Sequence, residues 1–216
     1  MGMIIAIDGP AGSGKGTIAS LLAKKYNLLN VDTGAFYRAL TVACINNNIS
    51  VDEKDKIIEL AKKVKLSQDK DGRTYLDGVD VSKEIRSEKV TNLVSYVSSI
   101  PEVRYVMVDI QRGMAEHNDL VMEGRDITTV VFPNATYKFY LDASIDERAK
   151  RRFKQNNENN INIPLEQTKL EMEERDYNDS HKEVGSLRIA DDAIYIDSTN
   201  LSIDEVLKKI TDVIEV

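Results

Sequence analysis

The stretch that most limits the fold is "GPAGSGKGT", residues 9–17, directly behind the apolar run "MIIAID". A glycine-rich loop that leaves a strand, opens a helix and carries a lysine at this offset is a phosphate cradle. Its backbone N–H groups turn inward and the helix N-terminus adds positive potential. Gly9, Pro10, Ala11, Gly12, Ser13, Gly14 and Lys15 fit the pattern G-x-x-x-x-G-K-[ST], but Gly16 stands where a hydroxyl is expected and Thr17 follows one place late. GTPases use that hydroxyl as a direct Mg²⁺ ligand. Gly16 offers none, and Thr17 is turned by about 100° on a helix of ~3.6 residues per turn. The expectation is Mg²⁺ with ATP, held by nucleotide oxygens and water with no direct protein ligand, and with Asp32 as an indirect partner. The guanine motif N-K-x-D is absent, which argues against a regulatory switch. A small-molecule kinase remains, with Lys15 following the charge of the transferring phosphoryl group.

Four more apolar runs join "MIIAID": "LLNVD" (28–32), "DLVMEG" (119–124), "YKFYLDA" (137–143) and "AIYID" (193–197). They are nearly continuous rather than alternating, as parallel strands covered on both faces should be. Helical spacing lies between them, as in Ile18, Leu21, Leu22 and Tyr26. Ser50-x-x-Glu53, Ser144-x-x-Glu147 and Ser202-x-x-Glu205 read as capping boxes. The fold class is therefore α/β, a five-stranded parallel sheet flanked by helices. Two stretches break the rhythm. Residues 64–81 read as a small antiparallel β-insert with turns at "DKDG" and "DG", and the Asn-rich 154–164 reads as the connection of a helical lid.

The net charge of −7 argues against a general nucleic-acid binder, so any anionic ligand must be held by a local cluster of Arg and Lys. Arg148, Arg151 and Arg152 stand at i, i+3 and i+4 on one predicted helix, and phosphate contact is favoured for them over a solvated stripe. No apolar run approaches the ~20 residues of a membrane helix, and no secretory signal is visible. Cys44 is the single cysteine, which rules out an internal disulfide framework and points to a reducing cytoplasm. His117 and His181 are isolated, so no transition-metal site is expected.

"GPAGSGKGT", "VDTGAFYRAL", "EGRDITTVVFPNATYKFYLDAS", "EERD" and "IDSTNLSIDEV" together resemble the bacterial cytidylate kinases, within the nucleoside monophosphate kinase group. The resemblance runs over the whole chain. It implies a P-loop kinase core over 1–62 and 101–216, a monophosphate-binding insert over 63–100 and a lid over 150–175. It implies transfer of the ATP γ-phosphoryl group to CMP or dCMP, in pyrimidine nucleotide metabolism, by a monomer without nucleic-acid or membrane partners. Carried over by position, Ser95, Arg104 and Asp126 would read the cytosine. Arg38 and Arg125 would hold the acceptor phosphate, with Thr33 and Tyr37 nearby, and Arg175 and Asp179 would hold the ribose. Lys15, Asp32, Arg125, Arg148 and Arg151 would serve the transfer itself. Lys182 departs from the pattern, which usually has an arginine there; an ammonium cannot make a guanidinium's bidentate grip.

The chemistry of the base agrees with the resemblance. Cytosine shows an amino donor beside an N3 acceptor, so a carboxylate such as Asp126 and a guanidinium such as Arg104 suit that edge. Uracil reverses both groups. Other readings stay open at this point: another nucleoside monophosphate or shikimate-type kinase, a P-loop nucleotide switch, or Asp32 and Asp126 as plain helix or turn caps.

Overall fold

A computed structural model describes residues 2–158 and 161–215. Asn159 and Asn160, inside the expected lid connection, lie outside the described residues. The chain begins with β1 (Ile4–Asp8), α1 (Lys15–Tyr26), β2 (Leu29–Asp32), α2 (Thr33–Asn46) and α3 (Lys54–Ala61). The insert follows as β3 (Leu66–Gln68), β4 (Thr74–Leu76) and β5 (Val79–Asp80), then a short turn of 3₁₀ helix (Glu84–Arg86), α4 (Glu88–Ser98) and α5 (Pro101–Met114). The second half carries β6 (Leu120–Gly124), a π-helical turn (Ile127–Val131), β7 (Tyr137–Asp142), α6 (Ile145–Glu158), α7 (Leu165–Ser180), β8 (Ile194–Asp197) and α8 (Ile203–Ile214).

All five apolar runs are strands of one sheet in the order β2-β6-β1-β7-β8, every pair parallel. The central strand β1 is buried along its whole length, which is why its sequence does not alternate. The edge strand β8 differs: it ends the sheet, and Ile194 and Tyr195 are exposed. One apolar cluster fills the space between α1, α8 and the sheet, through Ile18, Leu22, Phe139, Val206 and Ile210. Leu21 and Tyr26 are only half-buried; Ala19 and Ala23 take the inner positions of α1.

The larger cluster lies on the other face and runs from Val31 and Met122 through Phe36 and Leu40 of α2 into the insert, at Leu76, Val81, Ile85, Val90 and Val97. The insert is thus antiparallel as expected, with its second turn at Asp77-Gly78, but it shares its core with the sheet.

Ser202 and Glu205 form the full reciprocal capping box. Ser144 accepts from the Glu147 N–H at 3.3 Å, while its own N–H goes to Thr199 at 2.9 Å. The Ser50 expectation needs correction. Glu53 accepts from the Ser50 N–H, but α3 starts only at Lys54, so this bond closes the turn before the helix.

Candidate active site

Parallel strands end on one side of the sheet, and ligands of open α/β sheets sit outside those carboxyl ends. Here β1 delivers the glycine-rich loop, β2 delivers Asp32, and β6 delivers Glu123 and then Arg125 and Asp126. Lys15 is buried, and its ammonium folds into the loop, donating to the Pro10 carbonyl at 2.8 Å and to Ser13 Oγ at 3.4 Å. Burial, and after it the nearby Arg125 charge, pull this ammonium well below its ordinary pKa.

Arg148 and Arg151 hold the loop from outside. Arg148 donates to the Ala11 carbonyl at 3.1 Å, to the Ala143 carbonyl at 2.9 Å and to Asp176 at 2.6 Å. Arg151 donates to the Ser13 carbonyl at 3.4 Å and to the Ser198 carbonyl at 2.7 Å. Both guanidiniums are therefore committed to backbone carbonyls and carboxylates. The predicted shared face is divided because α6 starts against the loop: its first two turns meet the outer carbonyls, and Arg152 turns inward. Burial, then the Arg86 and Arg125 charges, lower the pKa of Arg152.

Arg152 belongs to a chain of five guanidiniums, each within electrostatic reach of at least two others, with Arg38, Arg86, Arg125 and Arg175. Burial followed by Arg175 and Arg86 brings Arg38 down to about 10, and burial followed by Arg125 does the same to Arg175. Like charges gathered this closely make an anion site. Arg38 is anchored by donating to the Ile85 carbonyl at 3.1 Å and to Thr91 at 3.0 Å. Asp179 is the hub beneath the cluster, with Arg125 at 2.7 Å, Lys182 at 2.9 Å and Arg175 at 3.9 Å. Burial alone would raise the Asp179 pKa, but Arg125, Lys182 and Arg175 hold it below the carboxylate range.

Arg104 and Asp126 meet at 2.5 Å, both buried, with the Tyr37 ring 5.4 Å from the guanidinium carbon. Arg104 also donates to the carbonyls of Ser98 at 3.2 Å and Gly185 at 3.3 Å, while its buried Nε has no partner. Gly185 has φ +67°, and a Cβ there would collide with the Arg104 guanidinium and the Asp126 carboxylate. Ser95 is exposed on α4, one turn before Ser98. Lys182 reaches Asp179 and Ser98, so it bridges the guanidinium cluster and the residue whose carbonyl holds Arg104.

Asp32 does cap a helix: it accepts from the Ala35 N–H of α2 at 3.1 Å and pairs with Arg86 at 3.2 Å. The Thr33 hydroxyl donates to the Glu123 carbonyl at 2.8 Å. Gly16 and Thr17 are exposed at the start of α1, and a Cβ on Gly16 would lie 3.2 Å from the Glu123 carboxylate. The missing hydroxyl is thus matched by an acid on the neighbouring strand. Burial and then the Asp32 charge raise the Glu123 pKa. Gly16, Asn30, Asp32, Gln68, Arg86 and Glu123 line a cavity of about 210 Å³. No cluster of three or more metal-ligating side chains exists among the described residues. Two carboxylates and the unpartnered Asn30 Oδ1 are oxygen donors of the kind that suit a hard divalent ion. A wider groove between Pro133, Lys138 and residues 185–192 holds none of the five clustered arginines.

Sequence reasoning missed Arg86, Glu123, Ser98 and Gly185. Glu123 was findable as the carboxyl-terminal acid of an apolar strand; nothing in the spacing marks Arg86.

A family model described as cytidylate kinase matches residues 5–216. The chain is 46% identical over 214 residues to a cytidylate kinase of Leuconostoc mesenteroides, covering 98% of this chain and 96% of that one. It is 45% identical over 210 residues to one of Caldanaerobacter subterraneus, covering 97% and 93%. The fold is similar to a crystal structure of an uncharacterized protein from Eubacterium ventriosum, with a TM-score of 0.57 at 14% identity over 99% of this chain and 98% of that one.

Proposed function

The chain belongs to the cytidylate kinase family, and we propose that it transfers the γ-phosphoryl group of ATP to CMP, giving ADP and CDP, with dCMP accepted in the same site. The observation that carries the base assignment is the buried Arg104–Asp126 pair with its unpartnered Nε. A pyrimidine that offers an acceptor to the guanidinium and an amino group to the carboxylate satisfies both. Uracil leaves each group facing its own kind, at about 1–3 kcal/mol for each buried polar group unpaired.

The phosphates divide between two sets of cations. Residues 9–17 receive the donor polyphosphate, with Lys15 moving from the Pro10 carbonyl onto the transferring group. Arg38 and Arg125 take the acceptor phosphate, and Arg175, expected at the ribose, lies within reach of both and shares that phosphate, which supplies the negative charge that their crowding calls for. Arg152 extends from the lid toward the same space, and Arg148 and Arg151 keep the loop in shape behind it. Lys182 holds Asp179 at the ribose end. Asp32 and Glu123 would hold a Mg²⁺ ion brought in with ATP, and the ion would neutralise phosphate charge there.

An acceptor panel tests the assignment: ATP and Mg²⁺ with CMP, dCMP, UMP, AMP, GMP and shikimate, following ADP release. CMP should give the highest kcat/KM. Equal use of UMP and CMP would sink the role given to Arg104 and Asp126.

A further inference from the structure

Asp8 is the last residue of β1, directly before Gly9, and it is fully buried. Its carboxylate lies within electrostatic reach of Lys15, but its hydrogen bonds run elsewhere. It crosses to the neighbouring chain segment, accepting from the Ile127 N–H at 2.9 Å, the Thr128 N–H at 2.7 Å and the Thr128 hydroxyl at 2.6 Å. Backbone pairing between β1 and β6 ends at Asp8 and Gly124. Beyond that point the ladder is replaced by this one side chain.

The two residues between the end of the ladder and the carboxylate's grip are Arg125 and Asp126. Arg125 joins the guanidinium cluster and Asp126 faces Arg104. The π-helical turn that follows closes onto the same place, since the Val130 and Val131 N–H groups both donate to the Asp126 carbonyl, at 2.8 and 3.1 Å. Asp8 therefore fixes a two-residue span at both ends: Gly124 through the strand, Ile127 through the carboxylate. Its own position is set by the strand that delivers the phosphate loop.

We infer that Asp8 is a positioning residue for the acceptor: its carboxylate sets where Arg125 and Asp126 stand relative to the phosphate loop. This rests on CMP being the acceptor. A carboxylate suits the task because two N–H donors and a hydroxyl converge on it, and an ionised acceptor makes each of these bonds stronger than a neutral one would. An amide cannot replace it, because in either orientation its NH₂ would face a backbone N–H, that of Ile127 or that of Thr128. A 1 Å displacement of positioning groups is enough to cost a factor of about a hundred in rate.

The test compares Asp8→Asn and the milder Thr128→Val, which removes one of the three bonds at nearly constant volume, with the wild-type chain. KM for CMP, KM for ATP, kcat and the melting temperature are measured for each. Positioning predicts that KM for CMP rises about tenfold or more in Asp8→Asn, and by a smaller factor in Thr128→Val. KM for ATP should stay within about twofold in both, and kcat should fall with the CMP effect. Equal shifts in both KM values, or lowered melting with unchanged KM values, would overturn the inference and leave Asp8 as a structural cap. If Asp8→Asn fails to fold, the split measured on Thr128→Val decides alone. Wild-type chain that does not use CMP would instead refute the acceptor assignment, which separates the two failures.

Discussion

The Arg104 guanidinium donates to the Asp126 carboxylate at 2.5 Å, and the two are buried together above the Tyr37 ring. A charge-assisted bond of this kind fixes a donor and an acceptor side by side, the pattern one pyrimidine edge needs. Asp126→Asn keeps the volume and one oxygen but adds an N–H that can serve the O4 of uracil. The ratio of kcat/KM for CMP over UMP should fall about ten- to a hundredfold, at ~1.4 kcal/mol per factor of ten. Steady-state kinetics with both acceptors measure it. A fall of equal size for both would mean that Asp126 only holds Arg104.

The arginines of α6 should separate into two kinds. Arg152→Ala should lower kcat about 10²–10³-fold, the loss of one charge-stabilising donor, with little change in melting. Arg148→Ala should instead destabilise the chain by about 3–5 kcal/mol, because Asp176 and the Ala11 carbonyl lose a buried partner. Denaturation and turnover on the same samples distinguish them. Normal stability with lost turnover in Arg148→Ala would return that residue to the phosphate.

Lys15 predicts a proton signature. Its pKa in the free protein is depressed below the ordinary 10.5 by burial and then by Arg125, and bound polyphosphate should restore it. Between the depressed and the ordinary values, binding must therefore take up protons. Calorimetry of an unreactive ATP analogue at about pH 8, in buffers of different ionisation enthalpy, should show uptake that disappears in Lys15→Met. Uptake unchanged in the mutant would assign the proton elsewhere.

Asp179 is held below its unfolded pKa, so its stabilisation is complete above the ordinary carboxylate value of 3.8 and is lost as pH falls through the lower folded value. Asp179→Asn should cost about 3 kcal/mol at neutral pH, since Arg125 and Lys182 lose a shared buried partner. The gap to wild type should narrow only in the acid range. A gap that stays constant down to acid pH would rule out the ionised hub.

Strand positions were legible because β1, β2, β6 and β7 are apolar runs ended by turns, and the parallel sheet follows from their continuity. The convergence of Lys15, Arg125, Asp126, Arg104 and Asp179 was legible from motif and resemblance. What could not be read was direction. Arg151 and Arg152 are adjacent in sequence, yet one grips the Ser13 carbonyl and the other turns to the cleft. Only the docking of α6 against the loop decides that. Arg86 was hidden for a related reason: it comes from the insert, and its neighbours Asp32 and Arg38 are some fifty positions away. Long-range packing, not local pattern, brings it to the site.

The α6–α7 hairpin rests on the loop through a small apolar contact of Ala11, Ala149 and Met172, edged by Ile145 and Leu165. The insert, by contrast, is continuous with the main core. The two appendages should therefore differ in cooperativity. Amides of the insert helix α4 should exchange with solvent only when the larger core opens. Those in the outer half of the hairpin should exchange through a cheaper, local opening that leaves the sheet intact. A polyphosphate drawing Arg152 closer would slow that exchange, so hydrogen exchange would register nucleotide binding in the hairpin as well as in the phosphate loop, while the amides of the insert stay silent.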